Sequence, residues 1–234
     1  MSISLIIIQN NLESRTHILQ NIKQSLETPS QLPDDPEFVE KRIKEKLEAH
    51  TPATAESLTD LFQSELQNVA GEFIAVSTDK EAASIIENII RESGATTVAY
   101  AGSGRAQSVL TLLADNCTII RPEQLDAPDK VATVAALAIT IVDIDYAIAD
   151  SGTLAILFNK TTSTLPYYLP EIVIALVWRD QLVRHHFELF EKIKESAKNM
   201  LLFTGPSRTA DIEKILILGA HGPRRLIVIF RDEK

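Results

Sequence analysis

Between Thr204 and Arg225 the chain brings hydroxyls, an arginine, carboxylates and a histidine together among glycines and prolines. The run is Thr204-Gly205-Pro206-Ser207-Arg208-Thr209-Ala210-Asp211-Ile212-Glu213, followed by Gly219-Ala220-His221-Gly222-Pro223-Arg224-Arg225. Groups of this kind recognise small anions. The preceding Asn199-Met200-Leu201-Leu202-Phe203 reads as a buried strand, and Ile212 to Leu218 has the apolar positions of a helix stopped by Gly219. The loop between them then opens onto a helix N-terminus, where unpaired N–H groups and the helix dipole favour negative charge. Arg208 can add a bidentate contact to a carboxylate or phosphate. The same residues also suit a purely structural role, with Ser207 or Thr209 as the cap, Asp211 and Glu213 complementing the dipole, and Arg208 paired with one of them. His221, in a turn stiffened by Gly222 and Pro223, can act as acid, base, hydrogen-bond donor or metal ligand. No second His or Cys lies at ligand spacing from it. His185 and His186 are adjacent and on a helix would point about 100° apart, so no metal site is expected.

Two further loops carry similar chemistry. Asp150-Ser151-Gly152-Thr153 presents a carboxylate and two hydroxyls between the apolar runs that end at Ile148 and begin at Leu154. It suits either an orienting group or base at Asp150, or a plain hairpin or bulge in which Asp150 caps its own turn. Gly102-Ser103-Gly104-Arg105 joins the strand-like Thr97-Val98-Ala99 to the helix-like Gln107 to Leu113, a turn that lets an anion approach backbone N–H groups. Position 107 is Gln where a dinucleotide fingerprint has its third glycine, so a nicotinamide site is rejected. Six of the eight glycines (Gly102, Gly104, Gly152, Gly205, Gly219, Gly222) fall in these loops, whereas Gly71 and Gly94 read as strand-entry and helix-exit residues. If the strands run parallel, the three loops converge at one sheet edge.

The elements that hold these loops follow from periodicity. From Glu72 onward, strands alternate with helices, which predicts an α/β domain with a largely parallel sheet flanked by helices over 72–234. Residues 11–27, 36–50 and 54–69 read as amphipathic helices, giving an N-terminal helical extension over 1–71. The segment 159–171 reads as an irregular lid, rim loop or long surface connection. With 234 residues, 45% hydrophobic, the chain can bury a large core, and a net charge of -9 argues against nucleic acid. No stretch is long enough to span a membrane. Ile3-Ser4-Leu5-Ile6-Ile7-Ile8 lacks the flanks of a signal peptide, so a cytoplasmic location is expected. The single cysteine, Cys117, reads as a buried core thiol, and one thiol excludes both an intrachain disulfide and an iron–sulfur cluster in this chain.

Ala149-Asp150-Ser151-Gly152-Thr153, Leu165-Pro166, the Gly205-to-Glu213 run and Gly219-Ala220-His221-Gly222-Pro223 together resemble the lactate utilization protein C family over about residues 72–231. The resemblance implies a fold similar to the superfamily of ribose-phosphate isomerases, glucosamine-phosphate deaminases and coenzyme A transferases (NagB/RpiA/CoA transferase-like), which bind phosphates or coenzyme A on loops at one sheet edge. It also implies a subunit of a bacterial system that oxidises L-lactate to pyruvate, whose other members, lactate utilization proteins A and B, carry the iron–sulfur clusters. The ligand site implied on this chain takes a small carboxylate or phosphate. It combines Gly102, Ser103, Gly104, Arg105, Ser151, Gly152, Thr153, Gly205, Ser207, Arg208, Thr209 and Gly222 with Asp150 and His221 as the candidate catalytic groups. One departure stands out: members often have Pro-x-His after the Leu-Pro pair, and this chain reads Tyr167-Tyr168-Leu169-Pro170 there. The alternative is a free-standing enzyme of the coenzyme A transferase or sugar-phosphate isomerase kind, with Asp150 as nucleophile or base.

Overall fold

The computed structural model describes residues 17–21, 23–24, 36–50, 54–113, 116–121, 130–158, 163–193, 199–210, 216–218 and 222–232. The chain divides into two compact units, Met1–Lys46 and Leu47–Lys234. In the first, residues 17–21 and 23–24 are helical, and most of helix α1 (Pro36–His50) follows. The predicted 36–50 helix is therefore found as expected, and so is the described part of 11–27.

The second unit is built on a six-stranded, wholly parallel sheet: β1 (Glu72–Val76), β2 (Thr97–Ala101), β3 (Thr118–Ile120), β4 (Ile139–Asp143), β7 (Ile172–Trp178) and β12 (Arg225–Arg231). Their order is β1-β12-β7-β4-β2-β3. The central strands are near-continuous apolar runs, as burial on both faces demands. Alternation then divides their side chains between two cores. Ile141, Ile174, Leu176, Ile227 and Ile229 face helices α3 (Asp79–Ser93) and α4 (Gln107–Leu113), while Val142, Val173, Ala175, Val228 and Phe230 face the other side. Helix α3 is delimited as its sequence predicts. The Thr78 hydroxyl accepts from the Glu81 N–H at 3.1 Å, and Gly94 ends the helix in the left-handed region at φ 70°.

The second face is covered by helix α2 (Ala55–Asn68) and by a smaller mixed sheet, of order β8-β5-β6-β9. Its strands are β5 (Tyr146–Ile148), β6 (Thr153–Phe158), β8 (Leu182–Val183) and β9 (Asn199–Thr204), and helix α5 (His186–Ile193) packs on its outer side. Phe62 and Leu66 of α2 are fully buried in this core. That helix was expected in an N-terminal extension ending at residue 71, whereas the compact units divide at Lys46 and Leu47.

Three expectations are corrected. The helix predicted over Ile212–Leu218 is absent where the segment is described: β11 (Leu216–Leu218) is a strand paired antiparallel with β10 (Arg208–Ala210), through Arg208↔Leu218, Thr209↔Ile217 and Ala210↔Leu216. Ser207 therefore leads into a strand, β10, and Thr209 lies within it. Ile215-Leu216-Ile217-Leu218 is an unbroken β-branched and apolar run, which suits a paired strand as well as a helix, and pairing decides between them. The run 199–203 does form a strand, but β9 lies at the edge of the smaller sheet, with Leu202 exposed, and is not a buried strand. Cys117 precedes β3 and is half-buried, where it packs against the core as a partly exposed thiol.

Candidate functional site

The predicted loops do not converge at one edge. Gly102–Arg105 follows β2 and so lies at the carboxyl ends of the parallel strands, whereas Gly222 and Pro223 precede β12 and lie at the amino ends. Seven-residue strands of the kind seen in β7 and β12 separate the two edges by roughly 20 Å. The expectation of convergence failed because β5, β6 and β9 belong to the second sheet, where β6 pairs antiparallel with both its neighbours.

At the carboxyl edge the chain leaves β2 toward β3 on one side, and β4 lies on the other, so β2 and β4 flank a topological switch point. Asp143, the last residue of β4, is buried there. Its Oδ2 accepts from the Tyr100 hydroxyl at 2.6 Å, the Gly104 N–H at 3.0 Å and the Ala106 N–H at 3.4 Å. A side chain at Gly102 would meet the Asp143 Cβ and Cγ at 2.6 Å, so glycine is required for the loop to fold over this carboxylate. The backbone donors that could have received an external anion are thus engaged by an internal one. Arg105 forms a two-pronged pair with Asp180, at 3.0 and 2.6 Å, and lies over the Trp178 ring. The pair is solvent-exposed, with Asp180 at 67%, so Asp180→Ala should change stability by less than about 1 kcal/mol in urea unfolding.

Burial, and then the hydrogen bond to Asp143, push the Tyr100 phenol well above the usual tyrosine range. The folded chain holds this proton more tightly than the unfolded chain does. The associated stability is present below a pH of about 10 and is lost as pH rises further. In an ultraviolet titration, one of the four tyrosines should ionise last by a wide margin, and Asp143→Asn should bring it back toward the others. Four tyrosines titrating together would contradict the arrangement.

At the amino edge lies a cleft of about 430 Å³, lined by Val69 before β1, Tyr167 and Tyr168 before β7, Leu201 and Phe203 to Ser207 along and after β9, and Gly222 and Pro223 before β12. That volume is in the range of small-ligand sites. Its walls are mainly apolar and aromatic, with Tyr167 and Phe203 rings 6.5 Å apart, and Thr204 and Ser207 bring hydroxyls. The Ser207 N–H donates to the Pro223 carbonyl at 2.8 Å, and a Cβ at Gly222 would lie 3.1 Å from the Ser207 Cβ, so the two loops are fastened closely together. The Asp150–Thr153 turn joins them from the side: β5 and β6 form a hairpin around it, and the Thr153 and Thr204 hydroxyls are hydrogen-bonded at 2.7 Å. Tyr167 is buried and Tyr168 exposed, which makes the described part of the 159–171 segment a rim of this cleft.

Residues 59–230, from α2 into the last strand, match the profile of the LUD domain family. The chain belongs to that family. It is 23% identical to "Lactate utilization protein C" of Macrococcus caseolyticus over 97% of this chain and 99% of that one, and 23% identical to the protein of the same name from Bacillus pumilus, over 69% and 73%. It is also 20% identical to "Uncharacterized protein YkgG" of Escherichia coli, over 95% of this chain and all of the other. The crystal structure of a DUF162 family protein from Deinococcus radiodurans superposes with a TM-score of 0.57, covering 77% of this chain and all of that one at 19% identity. The matched span thus runs from within α2 to the last strand of the parallel sheet.

Of the residues singled out in the LUD domain by sequence, Gly205, Ser207 and Gly222 line the amino-edge cleft, and Thr153 reaches it through Thr204. Gly102, Ser103, Gly104 and Arg105 stand apart at the carboxyl edge. Asp150, Ser151 and Gly152 form the turn beside the cleft, and Gly152 packs against the backbone of Glu65 and Leu66. Arg208 and Thr209 enter as backbone of β10, while their side chains and all of His221 lie outside the described residues. Sequence reasoning missed Tyr100 and Asp143. An aspartate closing the buried run Ile139-Thr140-Ile141-Val142-Asp143 was the available signal. Among the described residues no cluster of three or more His, Cys, Asp or Glu side chains could hold a metal, and no helix is long and apolar enough to cross a membrane. Burial, and then Glu87, push the Cys117 thiol up, which disfavours the reactive thiolate.

Proposed function

We propose that this LUD domain protein takes part in bacterial L-lactate utilisation as the cluster-free subunit, working beside iron–sulfur lactate utilization proteins A and B. The observation that carries this reading is end-to-end similarity to a protein named for lactate utilisation, with 97% and 99% of the two chains aligned. A lone cysteine supports the division of labour, because a four-thiolate cluster must then sit on a partner.

The ligand site in this reading is the amino-edge cleft, and the ligand is a small carboxylate or phosphate. Aromatic and apolar walls favour such a ligand's carbon skeleton, and Arg208, which follows the cleft residue Ser207 in the chain, supplies the charged contact in this reading. In the same reading His221, next in sequence to Gly222, donates to the ligand or moves a proton, and Asp150 orients it or acts as base. Gene deletion in the native host tests the reading. Growth on L-lactate should be lost and growth on pyruvate kept, with wild-type chain restoring the first and Arg208→Ala or His221→Ala restoring it poorly. Unchanged growth of the deletion strain on L-lactate would remove the proposal. Turnover of acyl-coenzyme A or a sugar phosphate by the isolated chain would favour a free-standing enzyme instead.

A further inference from the structure

The amino-edge cleft is larger and less polar than L-lactate needs. L-Lactate fills roughly 100 Å³, the share of three or four water molecules, against a cleft of about 430 Å³. Bound alone, it would leave most of that space to water. None of the eleven described residues that line the cleft carries a charge, in a chain where 24% of residues do. The part of a ligand that enters among them is therefore uncharged, because an ion would lose its hydration there without a partner of opposite sign.

Three of the eleven are aromatic, Tyr167, Tyr168 and Phe203, although aromatic residues make up only 6% of the chain. Tyr167 belongs to the core beneath the second face of the parallel sheet, and Phe203 packs against the same core, so this wall continues the packed interior out to the surface. Their rings stand 6.5 Å apart and are inclined at 44°, within the separation at which aromatic rings attract one another. Tyr168 is 42% exposed. Backbone contacts hold the walls in place. The Ser207 N–H is bound to the Pro223 carbonyl at 2.8 Å, and Gly205, at φ 71°, sits so close to α2's exit that a Cβ would lie 2.6 Å from the Val69 carbonyl oxygen. The cleft is thus formed before any ligand arrives, which suits a rigid occupant over one that must be moulded to it. The Thr153–Thr204 pair uses one hydroxyl as donor and leaves the other O–H for an acceptor.

We propose that the amino-edge cleft binds a flat conjugated ring system, so that the anion of the function proposed above is a substituent on such a ring rather than L-lactate itself. A flat ring meets the lack of charge, the volume and the aromatic wall together. An acyl chain would meet the first two, but it loses rotational freedom on binding and gains nothing from the rings. The anionic substituent rests on the function proposed above, and the ring does not.

Equilibrium binding of defined probes to the full chain tests this, with nitrogen-15 shifts at Phe203, Thr204 and Gly222 locating the site. The probes are 2-naphthoate, its puckered decahydro counterpart, decanoate and the neutral 2-naphthamide. Burial alone favours the decahydro acid, which is the more apolar of the two ring acids. The ring proposal predicts the reverse: 2-naphthoate should bind about 3–10-fold more tightly, the worth of one aromatic pairing beyond area. Tyr168→Leu, at an exposed position that leaves the fold intact, and Phe203→Leu should each reduce that preference and leave binding of the decahydro acid unchanged. Equal binding of the flat and puckered acids, tighter binding of decanoate, displacement of 2-naphthoate by millimolar L-lactate, or shifts confined to residues outside the cleft would overturn the proposal. Arg208→Ala separates the two readings. If it lowers 2-naphthoate to the affinity of 2-naphthamide, both stand; if it changes nothing while the flat-ring preference persists, the ring stands and the anion contact at Arg208 falls.

Discussion

Gly152→Ala should cost the second unit about 2–6 kcal/mol, summing a left-handed backbone strain of about 1–3 kcal/mol with a comparable packing overlap. Gly152 has φ 61°, and a Cβ there would lie 2.4 Å from the Leu66 nitrogen and 2.7 Å from the Glu65 carbonyl carbon. Both contacts are with helix backbone, which cannot step aside as a flexible side chain would. The turn must then lift off α2, loosening the Thr153–Thr204 contact and the wall of the cleft along with it. Against a typical domain stability of about 5–15 kcal/mol, that loss is a large fraction of the total. Gly94→Ala is the control: its φ is 70°, but nothing lies within 4 Å, so only the backbone strain of about 1 kcal/mol is expected. Urea unfolding of both variants checks the contrast, and equal midpoints would contradict the proposed contact between turn and helix.

Phe62→Ala should destabilise the same unit by about 3–5 kcal/mol, the usual cost of emptying a buried aromatic site. Phe62 is 0% exposed and meets the Phe73 ring edge-on at 6.1 Å, with Phe230 next in line against Phe73. The comparison is Phe38→Ala on α1, a residue 48% exposed, whose loss should stay within about 0.5 kcal/mol. A loss below about 1 kcal/mol at Phe62, measured in guanidinium unfolding, would mean that α2 is an appendage to the parallel sheet rather than a layer of it.

Most helices and strands from Glu72 to Ile148 were legible because their periodicities are clean: Gly94 marks the end of α3, and an apolar run marks β4. The parallel sheet followed from their alternation. The second sheet was not legible, because β5, β6, β8 and β9 are short, and the choice of partner depends on which faces of the larger sheet remain uncovered. Glycine-rich loops were singled out as places where a ligand could approach the backbone. What the backbone approaches could not be read: at Gly102 it is the chain's own Asp143, at Gly152 the backbone of α2, at Gly222 the side chain of Ser207. The cleft gathers Gly205, Ser207 and Gly222 because they lie on loops joined by the Ser207–Pro223 bond, a long-range pairing with no local signature.

The measurement that bears most directly on the functional reading is affinity purification of the tagged chain from its native host, followed by a visible spectrum and an L-lactate-dependent dye-reduction assay on the eluate. The account predicts brown iron–sulfur absorbance and lactate-driven reduction in the co-purified material, both absent from the chain isolated alone. A colourless, solitary protein inert toward L-lactate would contradict it.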